Sequence, residues 1–315
     1  MRVLVLGTGL VGRYAVRDAL RRGWEVVVGY RNEQPGPEFY APLPGDAAEA
    51  VTYLKADVTK AVEVDALVQE ARPEAAVHAA AMADVEQCER DRVQAQSVNV
   101  WGTRSLARAC AARKVPLLYM STAYVFDGRK GHYKEGDPTN PQNFFALTKL
   151  EGERAVAAQP GLEHLIVRSC TMYGENPRKR NVATTLIHEL SNRRPVQVAQ
   201  DQWDSPAYAA SVAEATLGLL ERGERGLFHV AGAERTSRYG LARAVAEVFG
   251  YDSRLLRPVN ISELRLTGRR PPDSSLQNAK TEKAVDYRPL DVRTGLRAFK
   301  EEVAARSVSG SVAVS

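Results

Sequence analysis

The sequence predicts an α/β fold in which a doubly wound parallel sheet is joined to a smaller C-terminal lobe. Three observations predict it. Short apolar runs typical of buried strands recur through the first 170 residues, helical patterns lie between them, and the alternation loosens after about residue 170. Such alternation favours parallel strands with right-handed crossovers. We expect residues 1–170 to form the sheet domain and residues 171–306 to form most of the second lobe.

Each element is predicted from its own pattern. Residues 2–6 (RVLVL) are an unbroken apolar run, which indicates a strand buried on both faces. Residues 10–22 have apolar positions at helical spacing, and Gly23 follows as a C-cap. The other predicted strands are residues 25–30, 51–55, 75–79, 117–121 and 164–168, a short one near Val196, and residues 227–230. The other predicted helices are residues 60–71, 91–113, 143–158, 181–193, 209–222, 238–249 and 292–304.

Two segments are predicted to lack regular structure. Residues 32–50 are rich in Pro, Gly and Ala, which is typical of a loop. Residues 307–315 are small and aperiodic, which predicts a flexible tail. In the second half of the chain, segments near residues 209–232 are expected to return to the main sheet.

Composition narrows the function classes. The net charge of +5 comes mostly from Arg, with no basic block interleaved with aromatic residues, so no nucleic-acid partner is expected. No apolar run approaches the roughly 18–20 residues of a membrane span, and the first strand begins at Arg2, so neither a membrane partner nor a signal peptide is expected. Cys88, Cys110 and Cys170 lack metal-ligand or CxxC spacing, which predicts no metal site and a reducing cytoplasm.

A glycine motif lies directly between the first strand and the first helix. A GxGxxG sequence in this position is typical of the dinucleotide-binding turn of the Rossmann fold. Its glycines let the backbone approach a pyrophosphate, and the helix N-terminus supplies N–H groups and the positive end of a dipole. A tight turn without a ligand is the alternative. The predicted cofactor-binding residues here are Gly7, Thr8, Gly9, Leu10, Val11 and Gly12.

The end of the second strand should determine the choice of cofactor. NAD-preferring sites place a carboxylate there for the ribose 2′-hydroxyl. This chain instead has Tyr30, Arg31 and Asn32. A guanidinium suits a 2′-phosphate, so NADP(H) is favoured over NAD(H). An ordinary surface Arg is the alternative.

Several further segments resemble the extended short-chain dehydrogenases/reductases, and in particular the dTDP-4-dehydrorhamnose reductase group. The resemblance extends over nearly the whole chain and implies reduction of a carbonyl with a nicotinamide cofactor. The segments that carry it are residues 121–128 (STAYVFDG), 131–138 (GHYKEGDP), 143–149 (NFFALTK), 167–174 (VRSCTMYG), 201–206 (DQWDSP, where the family has DQxGxP) and 270–276 (RPPDSSL).

The resemblance also implies a role for individual residues. Lys149 would hold the nicotinamide ribose, and Thr122 would bind the substrate carbonyl. Phe145 stands at the position of the family Tyr and Ala123 at that of the family Asp. A phenyl ring cannot donate a proton, and loss of a general acid typically costs about 10²–10⁴-fold in rate. The other cofactor contacts implied are Asp57, Val58, Ala79, Ala80 and Ala81, and the substrate contacts are Tyr124, Arg168, Tyr173, Trp203, Arg270 and Ser274.

Another acid would have to replace the missing phenol. The resemblance to the family implies that four residues lie near the active site and are candidate acids: Tyr124, His132, Lys134 and Tyr173. The family commonly has Tyr at position 124 in any case, and a single loop His such as His132 is more often a solvated surface residue.

Three functions stay open on the sequence. The first is an NADP(H)-dependent reductase of a nucleotide-linked deoxysugar ketone or a similar substrate, with an atypical proton donor. The second is a catalytically degenerate, cofactor-binding regulatory subunit, since residues 226–232 and 236–257 resemble the beta subunit of methionine adenosyltransferase. The third is a non-redox enzyme on the same fold. The expected partner is a small molecule, with a nucleotide sugar as the specific candidate, and a homodimer is an open alternative to a monomer.

Overall fold

The computed structural model describes residues 1–40 and 50–311. Its strands are β1 (Arg2–Leu6), β2 (Glu25–Tyr30), β3 (Thr52–Lys55), β4 (Ala75–His78), β5 (Leu117–Thr122), β6 (His164–Ser169), β7 (Met172–Tyr173), β8 (Val196–Ala199), β9 (Trp203–Asp204), β10 (Ala207–Tyr208), β11 (Gly226–His229), β12 (Thr236–Ser237) and β13 (Leu256–Val259). Its α-helices are α1 (Leu10–Arg21), α2 (Ala61–Ala71), α3 (Val85–Arg90), α4 (Arg92–Gln96), α5 (Thr103–Ala112), α6 (Phe144–Ala157), α7 (Val182–Ser191), α8 (Ala209–Glu221), α9 (Arg238–Phe249), α10 (Ala279–Val285) and α11 (Val292–Ser311).

Seven of these strands form one sheet. Their order is β11-β6-β5-β4-β1-β2-β3, and every pair in it is parallel. The first strand of the chain lies inside the sheet, with the chain continuing outward on both sides of it. This is the doubly wound order, so the predicted fold class is confirmed.

Both faces of the sheet are covered, which explains the unbroken apolar runs in the sequence. Successive side chains of a strand point to opposite faces. Val3 and Val5 belong to a hydrophobic cluster that includes residues of α1 and α8. Leu4 and Leu6 belong to a second cluster, with residues of α2, α5 and α6. A strand buried on both sides has no polar face, and so shows no alternation.

The second lobe has its own hydrophobic cluster, formed by residues of α7, α9 and α11 together with Tyr14 of α1. The buried carboxylate of Glu302, on α11, joins it to the sheet domain. Arg13 and Arg17 of α1 form ion pairs with this carboxylate, and the hydroxyls of Tyr14 and Tyr208 donate to it. Because a charge in a protein interior needs partners, this cluster fixes the last helix against the first.

Some elements differ from the sequence-based expectation. The predicted helix 91–113 is divided by a π-helical turn, Ser97–Gly102. Helices α3 and α10 are not in the predicted set. Residues 307–311 are helical instead of irregular, because α11 continues through them to Ser311, and the flexibility of the tail stays a prediction. Once a helix is nucleated, each added residue gains a backbone hydrogen bond at little cost. Residues 41–49 of the predicted loop and residues 312–315 of the predicted tail lie outside the described residues.

Within the described part of the chain, no helix is both long enough and apolar enough to cross a bilayer.

Candidate active site

The glycine motif forms a tight turn at the carboxyl end of β1. Gly7 has a φ of +116°, and a Cβ there would lie 2.5 Å from the backbone nitrogen of Ala80. A Cβ on Gly12 would lie 1.9 Å from the carbonyl oxygen of Gly7. Only glycine fits at these two positions. A Cβ on Gly9, by contrast, would meet nothing within 4 Å.

The open space at Gly9 fits a phosphate group. Gly9 is the N-cap of α1, and among the described residues no side chain caps this helix end. The first turn of α1 also contains no acidic residue. Backbone N–H groups and the positive end of the helix dipole therefore face an accessible space that a pyrophosphate can occupy. The residues present fit the dinucleotide that the motif predicts.

The other predicted cofactor contacts lie at or after the carboxyl ends of β2, β3 and β4. Ala79 and Ala80 are partly exposed at the end of β4, and their backbone packs closely against Gly7 of the glycine turn. At the end of β2, Arg31 is exposed and its Nε lies 3.2 Å from Oδ1 of Asn32. Burial acts to raise the pKa of Asp57, but hydrogen bonds from Thr59 and the charge of Arg31 lower it. Arg31 therefore lies near the end of β3 as well as of β2.

A further cation lies at the glycine turn, and it is not among the predicted site residues. Arg178 lies between β7 and α7, and its Nη1 lies 3.2 Å from Oγ1 of Thr8 and 3.2 Å from the carbonyl oxygen of Glu33. The second lobe thus reaches over the glycine turn. The run of cations at residues 178–180 (RKR) is the sequence feature that could have indicated it.

Lys149 and Phe145 lie one turn apart on α6. Asn143 caps this helix by accepting from the backbone N–H of Ala146 at 2.8 Å. The Lys149 side chain is buried, and burial lowers its pKa to about 7, against the opposing effect of Glu153. Phe145 is 8% exposed and packs in the second hydrophobic cluster. Its ring brings no polar atom to the site.

The π-helical turn places Asn99 beside α6. The Asn99 side chain accepts from the backbone N–H of Met82 at 2.9 Å and donates to Oγ1 of Thr148 at 2.9 Å. Thr148 in turn donates to the carbonyl of Phe145. These bonds join the segment after β4 to the turn of α6 that carries Lys149. π-helical turns are frequent at functional sites.

Thr122 and Tyr124 lie at the carboxyl end of β5. The Thr122 hydroxyl accepts from the backbone N–H of Tyr124 at 3.2 Å. The Tyr124 hydroxyl accepts from Gln202 at 2.9 Å and from Arg238 at 3.3 Å. Ala123, between them, is fully buried in an apolar cluster. The second lobe therefore meets the sheet at Tyr124.

The partly buried Arg238 and the buried Asp204 form an ion pair next to Tyr124. Their side chains lie 3.4 Å apart, and the hydroxyl of Thr171 also donates to Asp204. Arg238, Gln202 and Asp204 are not among the predicted site residues. Gln202 and Asp204 fall within the DQWDSP segment, which carries the family resemblance and so could have indicated them.

Two predicted substrate contacts have partners within the fold instead. Arg168 is buried and binds the Glu153 carboxylate through two nitrogens, at 2.9 and 2.7 Å. Tyr173 is 1% exposed within the cluster of the second lobe, and its hydroxyl donates to the carbonyl of Val292. These positions favour structural roles, and they also remove Tyr173 from the candidate proton donors.

The remaining candidates are spread around the cleft. Arg270 pairs with Glu86 at 3.0 Å. The Trp203 ring lies under the Arg235 guanidinium at 4.1 Å. Ser274 is fully buried, with its backbone N–H bonded to the carbonyl of Trp203. His132 and Lys134 are exposed, on either side of the buried Tyr133.

Comparisons with known proteins find relatives over most of the chain. A family model described as the RmlD substrate binding domain matches residues 1–305. Methionine adenosyltransferase 2 subunit beta of Xenopus tropicalis is 30% identical over 305 residues, which is 94% of this chain and 86% of that protein. A dTDP-4-dehydrorhamnose reductase of Mycobacterium tuberculosis is 37% identical over 221 residues, 68% of this chain and 71% of that one.

Solved structures of similar proteins have the same fold. A hypothetical dTDP-4-dehydrorhamnose reductase from Sulfolobus tokodaii has a TM-score of 0.78 at 32% identity, covering 94% of this chain and 99% of that chain. The Bacillus anthracis dTDP-4-dehydrorhamnose reductase, crystallised in complex with NADP, has a TM-score of 0.80 at 26% identity, covering 96% and 99%.

Proposed function

The chain belongs to the RmlD substrate binding domain family, and from this we propose that it is an NADP(H)-dependent reductase of a nucleotide-linked keto sugar in which Tyr124 donates the proton. One observation carries the proposal. Tyr124 lies on the same short turn as Thr122, and its hydroxyl accepts hydrogen bonds from Gln202 and Arg238. The NADP complex of the Bacillus anthracis relative supports the choice of cofactor.

The reaction needs a hydride, a proton and a fixed carbonyl. A bound nicotinamide supplies the hydride. The Thr122 hydroxyl would donate a hydrogen bond to the carbonyl oxygen and so orient it. The ammonium of Lys149 would hold the cofactor ribose. With a phenyl ring at position 145, the proton has to come from elsewhere in the cleft.

Tyr124 suits that role because of its two partners. Both partners are N–H donors, so the phenol oxygen is an acceptor in each bond and its own O–H is available to a substrate. The phenolate that remains after proton transfer would be stabilised by the guanidinium of Arg238, 3.3 Å away. Asp204 fixes that guanidinium from the other side. Of the other candidate acids, His132 and Lys134 are solvent-exposed.

The test is the rate of NADPH oxidation with a dTDP-4-keto-6-deoxysugar. Tyr124→Phe should lower this rate by about 10²–10⁴-fold, as loss of a general acid does, while the Kd for NADPH stays the same. Tyr251→Phe removes a hydroxyl from a partly exposed ring of the second lobe and should leave the rate unchanged. If Tyr124→Phe reduces the sugar as fast as the parent, Tyr124 is not the donor.

A second candidate function is that of a cofactor-binding regulatory subunit. It is favoured by the relatives named methionine adenosyltransferase 2 subunit beta, which match up to 94% of the chain. Under this function the parent would bind NADPH without turnover and would co-elute with a methionine adenosyltransferase of its own organism in size-exclusion chromatography. Turnover of the keto sugar without co-elution would exclude it. Binding of NADPH with neither result would favour a non-redox enzyme.

A further inference from the structure

We propose that Arg178 of the second lobe is a second cation for the 2′-phosphate of NADP(H), opposite Arg31 of the sheet domain. The inference rests on the proposed cofactor. It adds a residue that determines specificity and that the glycine motif does not include.

The position of Arg178 is the first observation. Its Nη1 lies between Oγ1 of Thr8 in the glycine turn and the carbonyl oxygen of Glu33, 3.2 Å from each. Glu33 is two residues after Arg31, just beyond the end of β2. The ribose 2′ position of a dinucleotide lies between a glycine turn and the end of the second strand. Arg178 therefore occupies the rim of the place where a 2′-phosphate would lie.

The neighbouring residue shows how this segment crosses the site. The Lys179 ammonium lies 3.6 Å from the carboxylate of Asp84, which follows β4. Strand β1, with its glycine turn, lies between β4 and β2 in the sheet. The segment with Arg178 and Lys179 therefore spans the carboxyl edge of the sheet from the end of β4 to the end of β2, above the glycine turn.

The segment is firmly held where it begins and ends. The backbone N–H of Glu175 donates to the Tyr14 hydroxyl at 2.8 Å, and its carboxylate pairs with the buried Arg13 at 3.1 Å. Asn181 donates to the carbonyl of Gly174 at 2.6 Å. The guanidinium of Arg178 lies over the Phe39 ring at 5.1 Å, which restricts its orientation.

The ionic contact of Arg178 is weak by comparison. Its partner Glu33 is 3.7 Å away, and the Glu33 side chain is 82% exposed. An exposed ion pair contributes only about 0–1 kcal/mol. A phosphate can form two parallel, charge-assisted hydrogen bonds with a guanidinium, which are stronger and better oriented. Arg178 can therefore move from Glu33 to a 2′-phosphate at little cost.

Two cations from different lobes would hold the 2′-phosphate between them and so select NADP(H) over NAD(H). Arg31 approaches the phosphate from the sheet domain and Arg178 from the second lobe. NAD(H) has a neutral hydroxyl at this position, so Arg178 would stay with Glu33 when NAD(H) binds. A preference for NADP(H) would then come partly from a residue 147 positions after Arg31, on the other lobe.

Calorimetry with four probes tests the inference: NADPH, NADH, 2′,5′-ADP and 5′-ADP. Arg178→Gln should weaken NADPH and 2′,5′-ADP by about 10–100-fold, the loss expected for hydrogen bonds to a charged group. NADH and 5′-ADP should change by less than about 2-fold, since they lack the phosphate. Arg178→Lys should give intermediate affinities, because an ammonium keeps the charge but cannot form the two parallel hydrogen bonds of a guanidinium. Arg257→Gln, which changes an exposed Arg on β13, is the control and should bind like the parent.

The other outcomes separate the inference from the proposed function. If Arg178→Gln binds NADPH as tightly as the parent, the inference is wrong while the cofactor assignment stands. An equal loss for NADPH and NADH would mean that Arg178 contacts the pyrophosphate, which overturns the 2′-phosphate assignment. If the parent binds neither dinucleotide, the proposed function and the inference both fail.

Glu33 provides a second and independent test. Glu33→Gln should tighten NADPH binding, because Arg178 is released and a negative charge near the phosphate is removed. In the Arg178→Gln background the same change should give a smaller gain. The difference between the two gains measures the coupling of Glu33 to Arg178. Equal gains in both backgrounds would show that Glu33 acts by repulsion alone, and would overturn the transfer of Arg178 from Glu33 to the phosphate.

Discussion

The Lys149 ammonium lies 4.0 Å from the centre of the Tyr119 ring. The ring face offers this buried cation a partial replacement for lost water. Glu153 also favours the charged form, while His78, fully buried nearby, stays neutral because burial lowers its pKa to about 3. Burial nevertheless dominates for Lys149 and brings its pKa to about 7. In the free protein, the charge on which the proposed site depends is thus lost as the pH rises through about 7.

This shift predicts how stability depends on pH. The pKa of Lys149 is about 7 when folded and 10.5 as the ordinary value, so between these pH values the unfolded chain binds more protons, and the contribution of Lys149 to stability rises with pH. Lys149→Met should therefore be more stable than the parent at pH 7, by a difference that shrinks towards pH 10. Urea denaturation at pH 6, 8 and 10 measures it. A difference that does not vary with pH would contradict the shift.

Phe145→Tyr should raise the rate of keto-sugar reduction above that of the parent, but by less than the factor of about 10²–10⁴ of a general acid, because Tyr124 already donates the proton in the parent. Positions 145 and 149 are i and i+4 on α6, so the new hydroxyl would lie near the Lys149 ammonium. Phe144→Tyr is the matched control, since its ring lies under Arg92. A normal enzymatic rate in the parent would show that position 145 does not limit the site. Ala123→Asp is a poor addition, because the fully buried Ala123 would become a carboxylate in an apolar cluster.

Arg31→Asp should reverse the cofactor preference. Arg31 is exposed at the end of β2, and a carboxylate there would repel a 2′-phosphate and accept a hydrogen bond from a 2′-hydroxyl. We expect the parent to bind NADPH more tightly than NADH, and the variant to show the opposite order in calorimetry. Equal affinities in the parent would remove Arg31 from its predicted role.

Glu302→Ala should destabilise the protein by about 3–5 kcal/mol, because it deprives two buried guanidinium groups, those of Arg13 and Arg17, of their shared carboxylate. The free energy of unfolding from urea titration measures the loss. Glu301→Ala, at the exposed neighbouring position, should change stability by less than about 0.5 kcal/mol. Similar losses in the two variants would mean that the effect belongs to helix α11 in general.

The parts of the fold that follow from local rules could be predicted from the sequence. The strand at residues 2–6 and the glycine turn after it have patterns that depend only on nearby residues. The position of Phe145 four residues before Lys149 is likewise a local fact. The π-helical turn at Ser97–Gly102 leaves almost no trace in the sequence, because one widened turn hardly changes helical periodicity.

The direction of charged and aromatic side chains could not be predicted. Arg168 turns to Glu153 on α6, and Tyr173 packs among rings contributed by α1, β10 and α11. Arg178 reaches Thr8, 170 residues earlier in the chain. Each of these pairings is a tertiary contact that is favourable only after distant elements have packed, so no short motif records it.

The buried carboxylate of Glu302 also affects the order in which this protein can be completed during its synthesis. Arg13 leaves the ribosome 289 residues before Glu302, and at roughly 5–20 residues per second that is a wait of about 15–60 s. Throughout this time the helix after the glycine turn lacks the acid that its two arginines share. A nascent chain stopped between residues 229 and 302 would hold all seven strands of the sheet, while its first helix would not have reached its final packing.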